Sequence, residues 1–266
     1  MKLNILPARA GFAWFRLGIR TFMRQPLALT GLFFMYMAAA SLLSLLPVVG
    51  SFLALAIVPA ATLGLMAATR EAAEGRFPTP RVMLSALRAG REQMRAMAVL
   101  GVAYAALSLL VLALVPVVVD LPPPAPGDAA ETVFGPQMQG AMLLGMALYL
   151  PVSLLFWHAP ALVYWHGVSP AKSLFFSFVA CVRNVRAMLA YGLAWSALVF
   201  AVSLAVVLVS LALGSPGLAG SALVPAGVVF TALFTTSLWF TFRDSFVADE
   251  AAAPPPAGND DGTPRA

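Results

Sequence analysis

Residues Arg70–Ala98 read REAAEGRFPTPRVMLSALRAGREQMRAMA and separate two long apolar runs. Six of the sixteen basic residues lie here: Arg70, Arg76, Arg81, Arg88, Arg91 and Arg95. Lys and Arg collect on the cytoplasmic side of a bilayer, so this segment sets the direction of the run on either side. Arg88, Arg91 and Arg95 recur at helical spacing, which predicts a basic amphipathic helix leading into the second run.

Working outward, the uncharged stretches are long enough to cross about 30 Å of hydrocarbon at 1.5 Å per residue. Six are expected: 27–46, 48–69, 97–119, 140–165, 188–213 and 221–242. Ala38-Ala39-Ala40 resembles a cleavage site for a signal peptide. The long, aromatic-rich segment before it favours retention of the first run as a span. Pro47-Val48-Val49-Gly50 and Gly214-Ser215-Pro216-Gly217 read as tight turns, and prolines 59, 151 and 160 are expected to bend or interrupt spans two and four. Trp157, Tyr164 and Trp165 are expected to form an aromatic girdle near the headgroups.

Composition agrees with a lipid solvent. Hydrophobic residues make up 61% of the 266 positions and charged residues 10%, against about 25% charged in soluble domains. The net charge of +5 would suggest nucleic acid in a soluble protein. Here no basic segment has the aromatic interleaving of a nucleic-acid reader, so nucleic acid is not expected as a partner. Cys181, the single cysteine, excludes an intramolecular disulfide.

All sixteen basic residues fall before span one, between spans two and three, between four and five, or after six. The opposite loops hold none, and the loop after span three carries Asp120, Asp128 and Glu131. This partition predicts an inner-membrane protein with both termini cytoplasmic. Residues 1–26 form an interfacial basic helix in this reading, 27–242 the membrane domain, and 243–266 a disordered tail rich in proline and acid. Arg16, Arg20 and Arg24 make one stripe of the first helix, with Trp14, Phe15, Gly18, Ile19 and Phe22 on the side assigned to lipid. Lys172, Arg183 and Arg186 mark a third such helix; Leu174, Phe178, Cys181 and Val185 lie opposite them. The fold class is therefore all-α: a polytopic helical bundle with basic amphipathic in-plane helices.

Arg95-Ala-Met-Ala-Val-Leu-Gly101-Val-Ala-Tyr104 matches Arg186-Ala-Met-Leu-Ala-Tyr-Gly192-Leu-Ala-Trp195 in the pattern R-A-M-x-x-x-G-x-A-aromatic. Pro59-Ala60 and Pro160-Ala161 also occupy similar places. The pattern points to three units, each an in-plane helix followed by a two-span hairpin. Trp14, Gly18, Phe22 and Pro26 complete an opening W-F-R-x-G-x-x-x-F-x-x-x-P. With this motif and the hairpin layout, the chain resembles a group of uncharacterised proteobacterial inner-membrane proteins over roughly residues 10–245. More distantly, its layout is similar to the membrane domain of some glycerophosphodiester phosphodiesterases. The resemblance implies membrane insertion and carries over no functional residue.

Ionisable groups in hydrocarbon cost about 2.5–3.5 kcal/mol each on an insertion scale, so they occur where they are used. The six spans hold no Asp, Glu, Lys or Arg. No catalytic motif is present, so no enzyme activity, cofactor or metal is expected. Glu71, Glu74 and Glu92 sit among arginines as solvated ion pairs. The remaining candidates are few. Arg16, Arg20, Arg24, Arg88, Arg91, Arg95, Lys172, Arg183 and Arg186 are candidate contacts for anionic headgroups. Ala56, Ala60, Gly64 and Ala68 form a small-residue stripe for helix packing. His158, beside Ala159-Pro160, is a candidate intramembrane polar site, against the alternative of an imidazole bonded to a hydroxyl or to a carbonyl freed by proline. Thr231, Thr235, Thr236 and Ser237 are expected to bond within or between helices rather than to line a path.

The expected function is a non-catalytic module that binds anionic lipid or a protein partner. The alternative is a carrier or channel for a small neutral or apolar solute, supported by the repeat, by His158 and by proline breaks in spans two, four and six. A second copy of the chain as partner is left open.

Overall fold

Pro26 makes the first structural decision. Gln25 leaves helical geometry (φ −142°, ψ 56°), and Pro26 opens the next helix, where its missing N–H costs nothing. The chain thus turns from α1 (Arg9–Arg24) into α2 (Pro26–Ser44). The computed structural model describes residues 2–88, 90–119, 136–215 and 217–247. After α2 come α3 (Gly50–Ala56), α4 (Val58–Ala73), a 3-10 turn (Pro80–Leu84) and α5 (Ser85–Arg88). Then follow α6 (Arg91–Val118), α7 (Pro136–Phe156), α8 (Ala159–His166), α9 (Pro170–Arg183), α10 (Val185–Ala212) and α11 (Gly217–Ser245). Six segments are long and apolar enough to cross a membrane: α2, α3 with α4, α6, α7 with α8, α10 and α11. The protein is an all-α polytopic bundle. The loop residues Asp120, Asp128 and Glu131 and residues 248–266 lie outside the described residues; of the tail assigned to disorder over 243–266, residues 243–247 are instead ordered as the end of α11 and β2 (Phe246–Val247).

Helix α4 is the hub. It presents Leu63 to Leu100, Tyr104, Val152 and Phe156 of spans three and four. Leu65 and Ala68 meet Phe22, Leu29 and Phe33 from the start of the chain. Met66 meets Leu162 of α8 and Leu238 and Phe242 of α11. A helix apolar on every side belongs at the centre of a bundle. The outer halves of α6, α10 and α11 instead leave Leu112, Val117, Leu208 and Val224 exposed, as lipid-facing surface does.

Prolines act differently from one another. Two spans are broken: one at Ile57 between α3 and α4, one at Trp157-His158 between α7 and α8. In each case a proline, Pro59 or Pro160, stands second in the following helix. Pro116, Pro151 and Pro225, by contrast, lie inside continuous helices. The expected interruptions at Pro151 and in span six are therefore absent. A membrane helix can keep its course through a proline where neighbouring groups re-satisfy the freed carbonyl.

One end of the bundle is stitched together by the chain's own polar groups. A short antiparallel pair joins β1 (Lys2–Leu3) to β2 (Phe246–Val247), with Lys2 opposite Val247. The Trp14 indole Nε1 donates to Asp244 Oδ2 at 2.9 Å. Asn184, almost wholly buried between α9 and α10, accepts from the Leu6 amide at 2.8 Å and donates to the Asn4 carbonyl at 3.0 Å. Gln25 Nε2 reaches the Arg76 carbonyl at 3.1 Å. These bonds bring the segments before span one, after span two, before span five and after span six to a common face.

Candidate functional site

The basic residues singled out from the sequence are all exposed, in the segments that the stitched end of the bundle brings together. Arg16, Arg20 and Arg24 on α1 are exposed, as are Arg88 at the end of α5, Arg91 and Arg95 in α6, Lys172 and Arg183 on α9, and Arg186 at the start of α10. None of these nine has an ion-pair partner among the described residues. The carboxylates that do pair serve other arginines. Glu74 bridges Arg70 at 3.2 Å and Arg76 at 2.5 Å, and the Arg70 hydrogen bond holds its carboxyl below the usual range. Asp244 takes Arg243 at 2.8 Å as well as Trp14. Glu71 and Glu92, expected as ion-paired, are not paired among the described residues.

The faces opposite the arginines differ from expectation. In α1, Trp14, Gly18 and Phe22 stand four residues apart and are buried against protein, not lipid. A Cβ on Gly18 would come within 2.5 Å of Ser237 Cβ, and one on Gly11 within 2.1 Å of the Ala187 carbonyl oxygen. The opening motif is thus a docking face for α10 and α11. In α9 the inward side carries Ser173, Ser177, Ala180 and Cys181, while Phe175 and Phe178 point outward. Lipid reverses the rule for water: small residues pack inside because they allow close approach, and aromatic rings lose nothing by facing hydrocarbon. Cys181 lies outside the spans, and burial pushes its thiol up to about 12.

His158 sits at the break between α7 and α8 with 1% exposure. The hydroxyl expected at its ring serves its backbone instead. Ser177 Oγ accepts the His158 amide at 2.9 Å and donates to the Leu154 carbonyl at 2.8 Å. In an unbroken helix residue 158 would donate to residue 154 directly. The serine hydroxyl is inserted into that one rung, and the helix kinks around it. The imidazole packs against Phe242 and Phe246, and Nδ1 finds no partner among the described residues. Sequence reasoning missed Ser177. Its signal was a serine on an amphipathic helix, indistinguishable in one dimension from a solvated one.

Both breaks open on the same cleft of about 120 Å³, where Pro59, Thr62, Tyr104, Tyr149, Trp157 and Pro160 meet. The Tyr104 and Tyr149 hydroxyls bond to each other there. Trp157, expected at the headgroups, turns inward and donates to Thr241 Oγ1 at 3.1 Å. The α11 hydroxyls bond back to their own helix, Thr231 to Gly227 at 2.8 Å, Thr235 and Thr236 to Ala232 at 2.9 Å and Ser237 to Phe234 at 2.6 Å, and Ser237 also shares a hydrogen bond with the Tyr191 hydroxyl of α10. They line no path. Of the small-residue stripe, the Ala56 carbonyl occupies the place a Gly101 side chain would take, at 2.3 Å. Gly64 lies against Met83, Ala68 is buried beneath α1 and α2, and half-buried Ala60 packs on the core of spans three and four. The stripe therefore meets several partners rather than one helix.

A probable inner membrane protein of Burkholderia thailandensis is 37% identical to the chain over 265 residues, covering 96% of this chain and 97% of the relative. The chain belongs to that family. No family model and no solved structure matches it. The relative and the six apolar helices together make this a multi-pass protein of the inner membrane.

Proposed function

We propose that the protein is a non-catalytic membrane module that gathers anionic lipid at the stitched end of its bundle, with that end and both termini in the cytoplasm. One observation carries the reading: nine exposed basic side chains in the segments gathered at that end, none with a protein counter-ion among the described residues. Lipid phosphates supply the missing charge, at about 1 kcal/mol per Lys or Arg near the surface. The positive-inside bias supports the orientation. Native mass spectrometry of protein released from nanodiscs containing phosphatidylglycerol and cardiolipin tests it. Reversing Arg16, Arg20 and Arg24 to Glu together removes about 3 kcal/mol of that attraction and is expected to weaken anionic-lipid binding at α1 about a hundredfold. Unchanged retention would overturn the proposal.

The cleft favours a second reading, a carrier for a small neutral solute. Hydroxyls placed between two broken spans could hydrogen-bond a small uncharged guest. Proteoliposomes that show no flux for a panel of neutral solutes, in wild type as in Tyr149→Phe, would remove it.

A further inference from the structure

A second cavity, of about 340 Å³, lies at the stitched end between the first turns of α6 and the α8–α9 joint. Its wall mixes charged, polar and apolar side chains. Glu92, Gln93 and Arg95 of α6 and Ser169 of the joint line it, together with Val99 of α6 and Val163 of α8. Helix α6 has 28 residues, a length of about 42 Å, so its ends extend beyond the roughly 30 Å hydrocarbon core into the headgroup layer. Glu92 and Arg95 are exposed and one turn apart, yet they pair neither with each other nor with any other described residue. One cavity thus holds an unpaired carboxylate, an unpaired guanidinium and an apolar stretch of wall.

We infer that this cavity seats a phosphoethanolamine headgroup: Arg95 takes the phosphate, Glu92 the ammonium, and the Val99–Val163 wall the start of an acyl chain. The charge pattern selects that occupant. A purely anionic headgroup would leave Glu92 facing like charge. A phosphocholine headgroup would present methyl groups where the carboxylate needs N–H donors. The inference extends the lipid reading to a second, zwitterionic lipid class, and it rests on that reading only in requiring lipid at this end.

The test uses full-length protein in nanodiscs of phosphatidylethanolamine, phosphatidylglycerol and phosphatidylcholine of matched chain length, with retained lipids counted by native mass spectrometry. Wild type is expected to retain phosphatidylethanolamine over phosphatidylcholine. E92Q should lower phosphatidylethanolamine retention about threefold or more without reducing phosphatidylglycerol, and R95Q should lower both. Equal retention of phosphatidylethanolamine and phosphatidylcholine by wild type, or an unchanged lipid ratio in E92Q, overturns the inference. So does displacement of the lipid by micromolar soluble phosphoethanolamine, which would make the ligand a free metabolite. Loss of phosphatidylglycerol on reversing Arg16, Arg20 and Arg24 reports on the broader proposal separately, so either can fail alone.

Discussion

At the scale of single residues, the kink in span four depends on one hydroxyl. Ser177→Ala leaves the His158 amide without its acceptor and the Leu154 carbonyl with only the weak Cys181 thiol contact at 3.9 Å. Each orphaned buried group costs about 1–3 kcal/mol, so S177A is expected to lower unfolding stability in detergent by at least about 1 kcal/mol. Ser173→Ala is the control, because among the described residues the Ser173 hydroxyl bonds to the Pro170 carbonyl one turn back in its own helix and bridges to no other element. Equal melting of the two variants would mean that the inserted hydroxyl does not hold the kink. Cys181 on the same buried edge gives a second prediction. With its thiol raised to about 12 by burial, the reactive thiolate is scarce at pH 8. Maleimide labelling of the folded protein should therefore be slow at pH 8 and become fast when sodium dodecyl sulfate opens the helix packing. Rapid labelling of the native protein would place α9 with its other face inward.

Among elements, the repeat proves unequal where its units touch their neighbours. Gly101 and Gly192 hold the same place in R-A-M-x-x-x-G-x-A-aromatic. A Cβ on Gly101 would meet the Ala56 carbonyl oxygen at 2.3 Å, whereas Gly192 has open space around it. Gly101→Ala should thus force α6 away from the broken second span and cost about 1–3 kcal/mol, as overpacking does. Gly192→Ala should be neutral or stabilising by about 0.5–1 kcal/mol through helix propensity. Thermal unfolding in matched detergent distinguishes them, and equal effects would deny the asymmetry. The spans themselves were legible because bilayer thickness imposes a length that uncharged runs report directly. Which side of α1 and α9 faces inward was not. In water an apolar edge must find the core, but in lipid both protein and hydrocarbon accept it, so periodicity identifies the edge without saying what covers it. Trp14 and Ser177 became interior residues through polar partners 230 and 19 positions away in the chain, separations that no local pattern encodes.

Over the whole molecule, the same arithmetic of charge that orders the spans also makes the orientation testable. The face joined by β1–β2, Trp14–Asp244 and Asn184 carries the unpaired arginines, and moving those charges through the bilayer would cost several kcal/mol per group. The opposite turn between α2 and α3 shows no such constraint: Val48 is fully exposed there and takes a left-handed φ of 68°, in a run with no Lys or Arg. Alkaline phosphatase fused after Leu46 should accordingly be active, and green fluorescent protein fused after Val247 should fluoresce. Shifting Arg88, Arg91 and Arg95 to Glu should weaken that preference, because the segment between spans two and three would then lose half of its basic residues while gaining acids. Active phosphatase after Val247 in the wild type would put the arginine-bearing end in the periplasm. The lipid contacts assigned to that end would then have to be made in the outer leaflet.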